Sequence, residues 1–514
     1  MVKTGSKISN CTGKLLIFLL LIASAAYGCG VTPDVVPPEI QSNAIAWPSA
    51  NHDYGNTRTN MTSTINSSNV SKLGLAWSVD ISGIGEWGGA ASNPIIASST
   101  VYMQDLKSNV YAIGLQKGNL LWKKEYDLDC FGPNGPAVGW DKLFVIKGHY
   151  EVAALSMASG KELWSDNLSD KAAKGIDIQP TVFNGLVYVS TVPGTTNGDF
   201  YTGGGIGTLY ALDQQTGQIR WQFDTVDSKD IWGNPQVNSG GGAWYPPAID
   251  VKTGIMYWGT ANPAPTPGTE QYPAGSSRPG PNLYTDSMIA LDANTGKLLW
   301  YKQVKPHDLF DLDFQDSPIL ATVSANGTQT DVVIGSGKLS IVYAFDRKSG
   351  EIIWQTPVGN HQNDELTKLP EGITRVSPGP DGGILTPAAL ADGRLFLPLV
   401  DSPGDYTPTD FVESTYDIKK GKGAMIALDV NGGKPVWTTN FDSVDCGAAT
   451  VVNDLVFTST LDGSIYALNT KTGEIAWTYH AIGGINGWPA AAGDVILFPV
   501  GLGPSPKLLA FKLP

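Results

Sequence analysis

Four cysteines in 514 residues, with no Cys-x-x-Cys pair and no Cys-x-x-Cys-His set, limit the chemistry from the start. A cysteine-built zinc site and a covalently attached haem of the chain's own are excluded. Charged residues make up only 16% of the sequence, and the balance is acidic, with Lys+Arg 34 against Asp+Glu 48 and a formal net charge of -14. A phosphate backbone needs a clustered excess of Lys and Arg, so nucleic acid is no partner. No nucleophile-elbow pattern points to a hydrolase. No long helical period appears either, which sets aside helix bundles.

Turn chemistry is what the chain has in quantity, with 60 Gly and 34 Pro, and it is organised by a repeat. The stretch YALNTKTGEIAW, Tyr466 to Trp477, runs from an apolar strand through a Thr-Gly turn into a second strand that ends on Trp. This is a β-hairpin whose Gly473 can adopt φ > 0. The same pattern returns at Tyr210 to Trp221, Ile289 to Trp300, Tyr343 to Trp354 and Ile426 to Trp437, with looser copies at Tyr111 to Trp122 and Ala153 to Trp164. Trp at one place in seven copies implies a repeated packing socket. An eighth copy is split: residues 486–514 hold its first half and KLGLAWSVD, with Trp77, holds its second. Hairpin units that would each expose an apolar face alone suit the blades of a propeller. The expected fold is therefore an all-β, eight-bladed β-propeller, closed by strands from the two ends of the chain in one blade, which leaves no open edge.

Ahead of the repeats, Lys3, Lys7 and Lys14 precede the apolar run Leu15 to Ala26, too short to span a bilayer comfortably. Residues 1–28 read as a signal peptide. Gly28 before Cys29 forms a lipoprotein cleavage box, so export to the periplasm or another extracytoplasmic space is expected, with membrane attachment through lipid on Cys29 alone; simple secretion is the other reading. Residues 29–45 read as a Pro-rich extended tether and 46–514 as the propeller. Cys130 and Cys446 fall at like positions of two distant blades and are expected as unpaired thiols.

The repeat is stretched between Trp221 and Trp300 and again between Trp354 and Trp437. Insertions in a propeller become loops on its faces, where sites are built. The first insertion is the better candidate: its Gly run and Trp244 would let a flat ligand lie on an indole face.

These residues carry a resemblance. The entry segment WPSANHDYGNTRTN (Trp47 to Asn60), the Trp-ended repeats, GTANPAP, RPGPNLYTDSMIALDANTGKLLW, KPHDLFDLD and GKLSIVYAFDRKSGE are similar to the quinoprotein alcohol dehydrogenases, propellers that hold pyrroloquinoline quinone (PQQ) and Ca²⁺ near the axis. The resemblance implies a PQQ-dependent oxidoreductase acting on a small alcohol or sugar and passing electrons to a separate acceptor. It assigns Trp244 as the stacking surface, Lys338 as the cation beside the quinone oxygens, Asn134 as a retained cofactor contact and Asn262 as a Ca²⁺ ligand. The sequence departs from the pattern at Pro281, where RPGDN would carry the catalytic Asp, at Gly135 in place of an Arg, at Ala91 in place of a Glu, and after VYVSTVPG, where a Ca²⁺-binding Glu is expected. Substitute bases are Asp129, Asp308, Asp311 and Asp313. The residues leave a second class open: a non-catalytic propeller, a scaffold or binding lipoprotein that has lost the quinone site.

Overall fold

A computed structural model describes residues 35–43, 45–130, 132–168, 174–193, 203–325 and 327–514. The leader, Cys29 and the start of the tether lie outside the described residues. The fold is an all-β propeller. Seven antiparallel sheets each take four strands from one stretch of chain, residues 95–124, 137–167, 181–224, 248–303, 319–357, 389–441 and 450–480. A further sheet is composite. Ala490–Ala492, Val495–Val500 and Lys507–Lys512 supply three strands, and Gly74–Asp80 supplies the outer one, with Trp77 opposite Ala510.

The residue pattern explains each sheet. In 450–480 the first strand, Thr450–Val452, and the second, Leu455–Ser459, are buried throughout, because neighbouring sheets cover both faces. The outermost strand, Ile475–His480, alternates in exposure, as a strand with one face in water does. A register shift lies between Ala467 and Leu468, and it sets Trp477 opposite Ala467. Shifts of this kind recur beside Trp122, Trp221, Trp300, Trp354 and Trp437, each of which faces an Ala. The bulge turns the indole toward the next sheet, and the small Ala leaves room for it.

There the indole meets a socket. Trp437 Nε1 donates to the Thr470 carbonyl at 3.1 Å, and its ring lies over Gly473. Asn469 Oδ1 accepts the N–H groups of Lys471 and Thr472 and closes the turn. The same donation joins Trp77 to Leu115, Trp122 to Met157, Trp164 to Gln214, Trp221 to Ala293, Trp300 to Arg347 and Trp354 to Val430, at 2.9 to 3.2 Å. Trp477 is handled differently: it packs with the cluster that contains Ile65, Val70 and Leu73, from the segment leading to Gly74–Asp80.

The entry segment 47–60 runs across the inner strands as a plug. Tyr54 Oη donates to Val182 O, Asn56 Nδ2 to Pro318 O, Thr59 Oγ1 to Leu390 O and Asn60 Nδ2 to Ala491 O, so one stretch ties four sheets together. Arg58, with no solvent exposure, donates to Ala449 O and Thr450 Oγ1, and its guanidinium lies between the rings of Trp47 and Trp488. Burial pulls its pKa down to about 9, Asp316 opposing.

The tether departs from the extended form expected of it. Pro38–Ser42 turns into a short helix with Ile40 in the core, and Glu39 accepts the N–H groups of Trp140 and Asp141. Prolines favour an extended chain only until an apolar residue finds a pocket to fill.

The socket can be tested by two glycine substitutions. A Cβ on Gly473, at φ +75°, would stand 2.6 Å from Trp437 Cε3, whereas one on Gly185, at φ +76°, would meet nothing within 4 Å. Gly185→Ala should cost only the backbone strain, about 1–2 kcal/mol. Gly473→Ala should lose about 1–3 kcal/mol more through overpacking. Equal shifts in urea midpoint would mean that the indole is not what excludes a side chain.

Candidate functional site

A cavity of about 490 Å³ lies on the axis, over an aromatic floor. Below it, Trp488 rests on Arg58. Tyr245 stands edge-on to Trp488 at 5.1 Å between centroids, and Trp244 leans on Tyr245 at 5.2 Å. Lys338 Nζ then sits 5.0 Å from the Trp244 ring centre. Tyr245 Oη donates to Leu385 O, which fixes the middle of the stack. The plug therefore carries the floor.

The charged wall comes from KPHDLFDLD. Leu309, Phe310, Leu312 and Phe314 are wholly buried and anchor the segment, and Asp308 braces it by accepting the N–H groups of Phe310 and Leu312. With the apolar residues and Asp308 turned inward, Asp311 and Asp313 line the cavity. Asp311 takes φ +62°, an uncommon conformation for a residue with a side chain, and such strain gathers at functional sites. Lys338 Nζ bridges the pair, 2.9 Å from Asp311 Oδ2 and 2.8 Å from Asp313 Oδ2. Asp313 Oδ1 accepts the Asn262 N–H at 2.6 Å.

One cation does not balance this wall, because Asp177 and Asp381 line the same cavity. Burial lifts the Asp311 carboxyl well above its ordinary range; Lys338 offsets part of the rise and Asp313 adds to it. Asp177 is lifted likewise, by burial first and then by Asp313. For Lys338 burial acts downward, but Asp311, Asp313 and Asp381 outweigh it and keep the ammonium charged. Among the polar atoms buried here without a hydrogen-bond partner are Asn262 Oδ1, Asp177 Oδ1, Trp244 Nε1, Asn486 Oδ1 and Trp488 Nε1. Among the described residues, no three His, Cys, Asp or Glu side chains are gathered closely enough to hold a metal ion.

The residues singled out in the sequence divide. Trp244, Lys338, Asp311 and Asp313 meet at the cavity, with Asn262 behind Asp313. Asp308 is a brace. Asp129 is exposed and pairs with Lys107 at 2.6 Å, away from the cavity. Asn134 does not line it either: its Oδ1 accepts the Ile178 N–H and so holds the connection between Lys174–Ile176 and Thr181–Phe183 that carries Asp177. Gly135 has no room for the arginine of the pattern, since even a Cβ would stand 2.7 Å from Ser92 Oγ. Pro281 is exposed and outside the cavity lining, so the proton it lacks does not bear on this site. Cys130 and Cys446 are buried free thiols, but their positions are not alike. Cys446 lines the cavity and Cys130 does not.

Sequence reading missed Asp177, Asp381, Tyr245 and Trp488. A signal was there in the repeat. Ala91, Pro133, Asp177, Trp244, Leu385, Cys446 and Asn486 each stand four residues before the first strand of a sheet, and all of them line the cavity. The second insertion matters as much as the first, because it forms the ribbon Thr374–Val376 with Gly404–Tyr406 and brings Asp381 and Ile418 to the axis.

Comparison with known proteins places the chain in a family and its fold among solved propellers. The profile of the glucose/ethanol/alcohol dehydrogenase β-propeller domain matches residues 47–133 and 170–365, more than half of the chain, and that of the outer membrane protein assembly factor BamB matches 340–503. Quinohemoprotein alcohol dehydrogenase ADH IIB of Pseudomonas putida is 26% identical, over 92% of this chain and 75% of its own length. A lanthanide-dependent methanol dehydrogenase of Methylacidiphilum fumariolicum is 28% identical, over 86% and 82%. The crystal structure of quinohemoprotein alcohol dehydrogenase from Comamonas testosteroni superposes with a TM-score of 0.81 at 23% identity, covering 93% of this chain and 82% of that one.

The charge geometry makes its own prediction. Lys338→Met leaves Asp311 and Asp313 facing each other without a counter-charge, a loss of about 3–5 kcal/mol. Because the folded-state pKa of Asp311 lies above its ordinary 3.8, its protonated form favours folding, and that contribution fades as pH rises through the raised value. Protonation relieves the variant, so its deficit in thermal midpoint against the parent should be larger at about pH 8 than at about pH 5. A deficit that is the same at both would show that Lys338 is not the counter-charge.

Proposed function

Since this chain belongs to the PQQ-dependent alcohol dehydrogenase-like β-propeller family, we propose that it is an oxidoreductase that oxidises an alcohol with a quinone held on Trp244. The observation that carries the reading is the pairing of an open indole face with a buried ammonium 5.0 Å from its centre, beside the Asp311 carboxylate. A flat, electron-poor anion matches that pair, and the cavity has the size of a small-molecule site. When bound, PQQ supplies the two-electron acceptor that no side chain here can be.

Each residue then has a task. Trp244 holds the plane and Trp244 Nε1 offers an unused donor. Lys338 keeps a positive charge where reduction builds negative charge. Asp311 accepts the hydroxyl proton of the alcohol; its raised proton affinity makes it a stronger base than a solvated carboxylate. Asp313 fixes Lys338 and the Asn262 backbone. Asn134 acts through the connection that carries Asp177. The donors do not make a Ca²⁺ cage: Asn262 Oδ1 is a free amide oxygen and Ca²⁺ takes six to eight, so no step is assigned to a cation.

Two further parts of the reading rest on the chain itself. With the composite sheet counted as a blade beside the seven continuous ones, the frame is eight-bladed and its Trp sockets run from blade to blade. From the Lys-flanked apolar run that ends at Gly28-Cys29, the protein is exported and lipid-anchored, so its electron acceptor is a separate molecule outside the cytoplasm. Cys29→Ser should move the protein from the membrane to the soluble fraction; a variant that stays with the membrane contradicts the anchor.

PQQ titrated into purified protein should quench tryptophan emission with an affinity between about micromolar and millimolar, little changed by Ca²⁺. Trp244→Ala removes a stack of about 1–3 kcal/mol and should weaken binding some 5- to 150-fold. Asp311→Asn should keep the binding and lower dye-linked alcohol oxidation about 10²- to 10⁴-fold. If PQQ does not bind at all, the oxidoreductase reading fails and a binding scaffold takes its place.

A further inference from the structure

Every outer strand shows hydrocarbon to water at the end where it starts. In each of the seven continuous sheets and in the composite one, a Leu, Ile or Val one or two residues ahead of the Trp is exposed, from Ile352 at 38% to Leu120 and Leu121 at 52%. The bulge that turns the indole toward its neighbour leaves these side chains facing out. Scattered single apolar residues would call for no account, but these recur at one level around the whole ring.

That level is the end away from the cavity mouth. The exposed residues follow the hairpin turns, whereas residues such as Asp177, Trp244 and Asn486 line the cavity from the connections that precede the first strands. The turns between first and second strands share the end of the hairpins, as the bond from Asn184 Nδ2 to Asn294 Oδ1 at 2.5 Å shows. The described chain also enters at this end. Val35 O accepts the Asn184 N–H, Glu39 accepts the N–H groups of Trp140 and Asp141, and Asn43 Oδ1 accepts the Ser98 N–H, so three of these turns hold the tether. Val35 stands six residues after Cys29, a reach of about 20 Å at full extension. A lipid on Cys29 therefore brings this end to a bilayer. The mouth exposes Ile84, Trp87 and Ile482 as well, but only in the two connections that flank the composite sheet.

We propose that this end of the propeller rests on the phospholipid bilayer that holds the Cys29 lipid, with the ring of outer-strand side chains dipped among the headgroups and the cavity mouth turned toward water. This rests on the anchor reading for what brings the bilayer near, and it needs nothing from the oxidoreductase reading. The attraction is burial of hydrocarbon and not charge. Lys117, Lys297, Lys348, Lys434 and Lys471 are exposed at the hairpin turns, but Glu351 and Glu474 are exposed beside them, so the two signs offset and salt has little effect. Each side chain is already about half covered, so the ring orients a tethered body and does not hold a free one. The tether supplies the local concentration that lets so weak a contact form, and the Cys29→Ser protein is still washed from the membrane on dilution.

Hydroxyl-radical oxidation, read residue by residue by mass spectrometry, tests the orientation. With the full chain on vesicles of phosphatidylethanolamine and phosphatidylglycerol, oxidation of Leu120, Leu121 and Leu299 should fall several-fold against the Cys29→Ser protein in buffer, at low and at molar salt alike. Oxidation of Trp87 and Ile482 should not change. Ring residues that stay as reactive as in buffer, or protection of Ile482 equal to theirs, overturn the proposal. If the full chain does not stay with the vesicles, the anchor reading fails alone, and the Cys29→Ser protein decides. At millimolar lipid it should sediment with sucrose-loaded vesicles. Leu120→Ser combined with Leu121→Ser should raise the lipid needed for half-binding about tenfold, the worth of one fully buried leucine, and Ile482→Ser should leave it unchanged. No sedimentation at any lipid concentration, or an equal loss with Ile482→Ser, overturns the proposal.

Discussion

The indole-to-carbonyl contact between neighbouring sheets is the constraint on which everything else in this molecule rests. Each contact is modest: a hydrogen bond of about 1 kcal/mol net, and the burial of part of one ring. Its effect lies in repetition. A bulge, a facing Ala and a left-handed Gly must coincide for a single Trp to seat, with an Asx turn closing most of the sockets, and this combination sets the angle between adjacent sheets. Once the angle repeats, the segments before the inner strands arrive at the axis in a fixed order. The cavity is what those segments enclose, so its geometry is inherited from contacts at the rim.

The axis itself is electrostatically uneconomical. A core with no task for charge would not keep Asp177, Asp311, Asp313 and Asp381 around one Lys338. Removing carboxylates from water costs several kcal/mol for each ion, and the ammonium repays only part of that. The molecule accepts raised proton affinities at these acids and a strained φ at Asp311. Elsewhere a buried charge is made safe by many partners, as Arg58 is by three carbonyls, three side chains and two indole faces. That contrast marks the cavity as the place where the chain gives up stability for chemistry.

Much of the fold was legible because its determinants are local. The hairpins, their turns and the sharing of one sheet by both ends of the chain follow from a twelve-residue pattern and its split copy. The site was legible where a residue's type is unusual for its setting, as with Trp244 beside a Gly run, and where the family resemblance named a position, as with Lys338. It was illegible where the determinant is a position in the ring. Asp177 looks like any acid before a strand, and only its place four residues ahead of Thr181 brings it to the axis. Motif spelling also misled. Pro281 drew attention because it interrupts a familiar string, yet it lies at the surface; the carboxylate at the cavity comes from Asp311, whose neighbours in sequence are ordinary core leucines and phenylalanines.

The plug formed by residues 47–60 turns the ring into a cup. Trp47 and Arg58 have no exposure, and Trp488 above them has almost none, so the aromatic floor closes that end of the axis to solvent. A vessel with one opening imposes an order on its traffic. Whatever is admitted must leave by the route it took, and two bulky visitors cannot occupy the mouth together. An occupant seated on the floor can therefore be exchanged only while nothing stands in the opening above it.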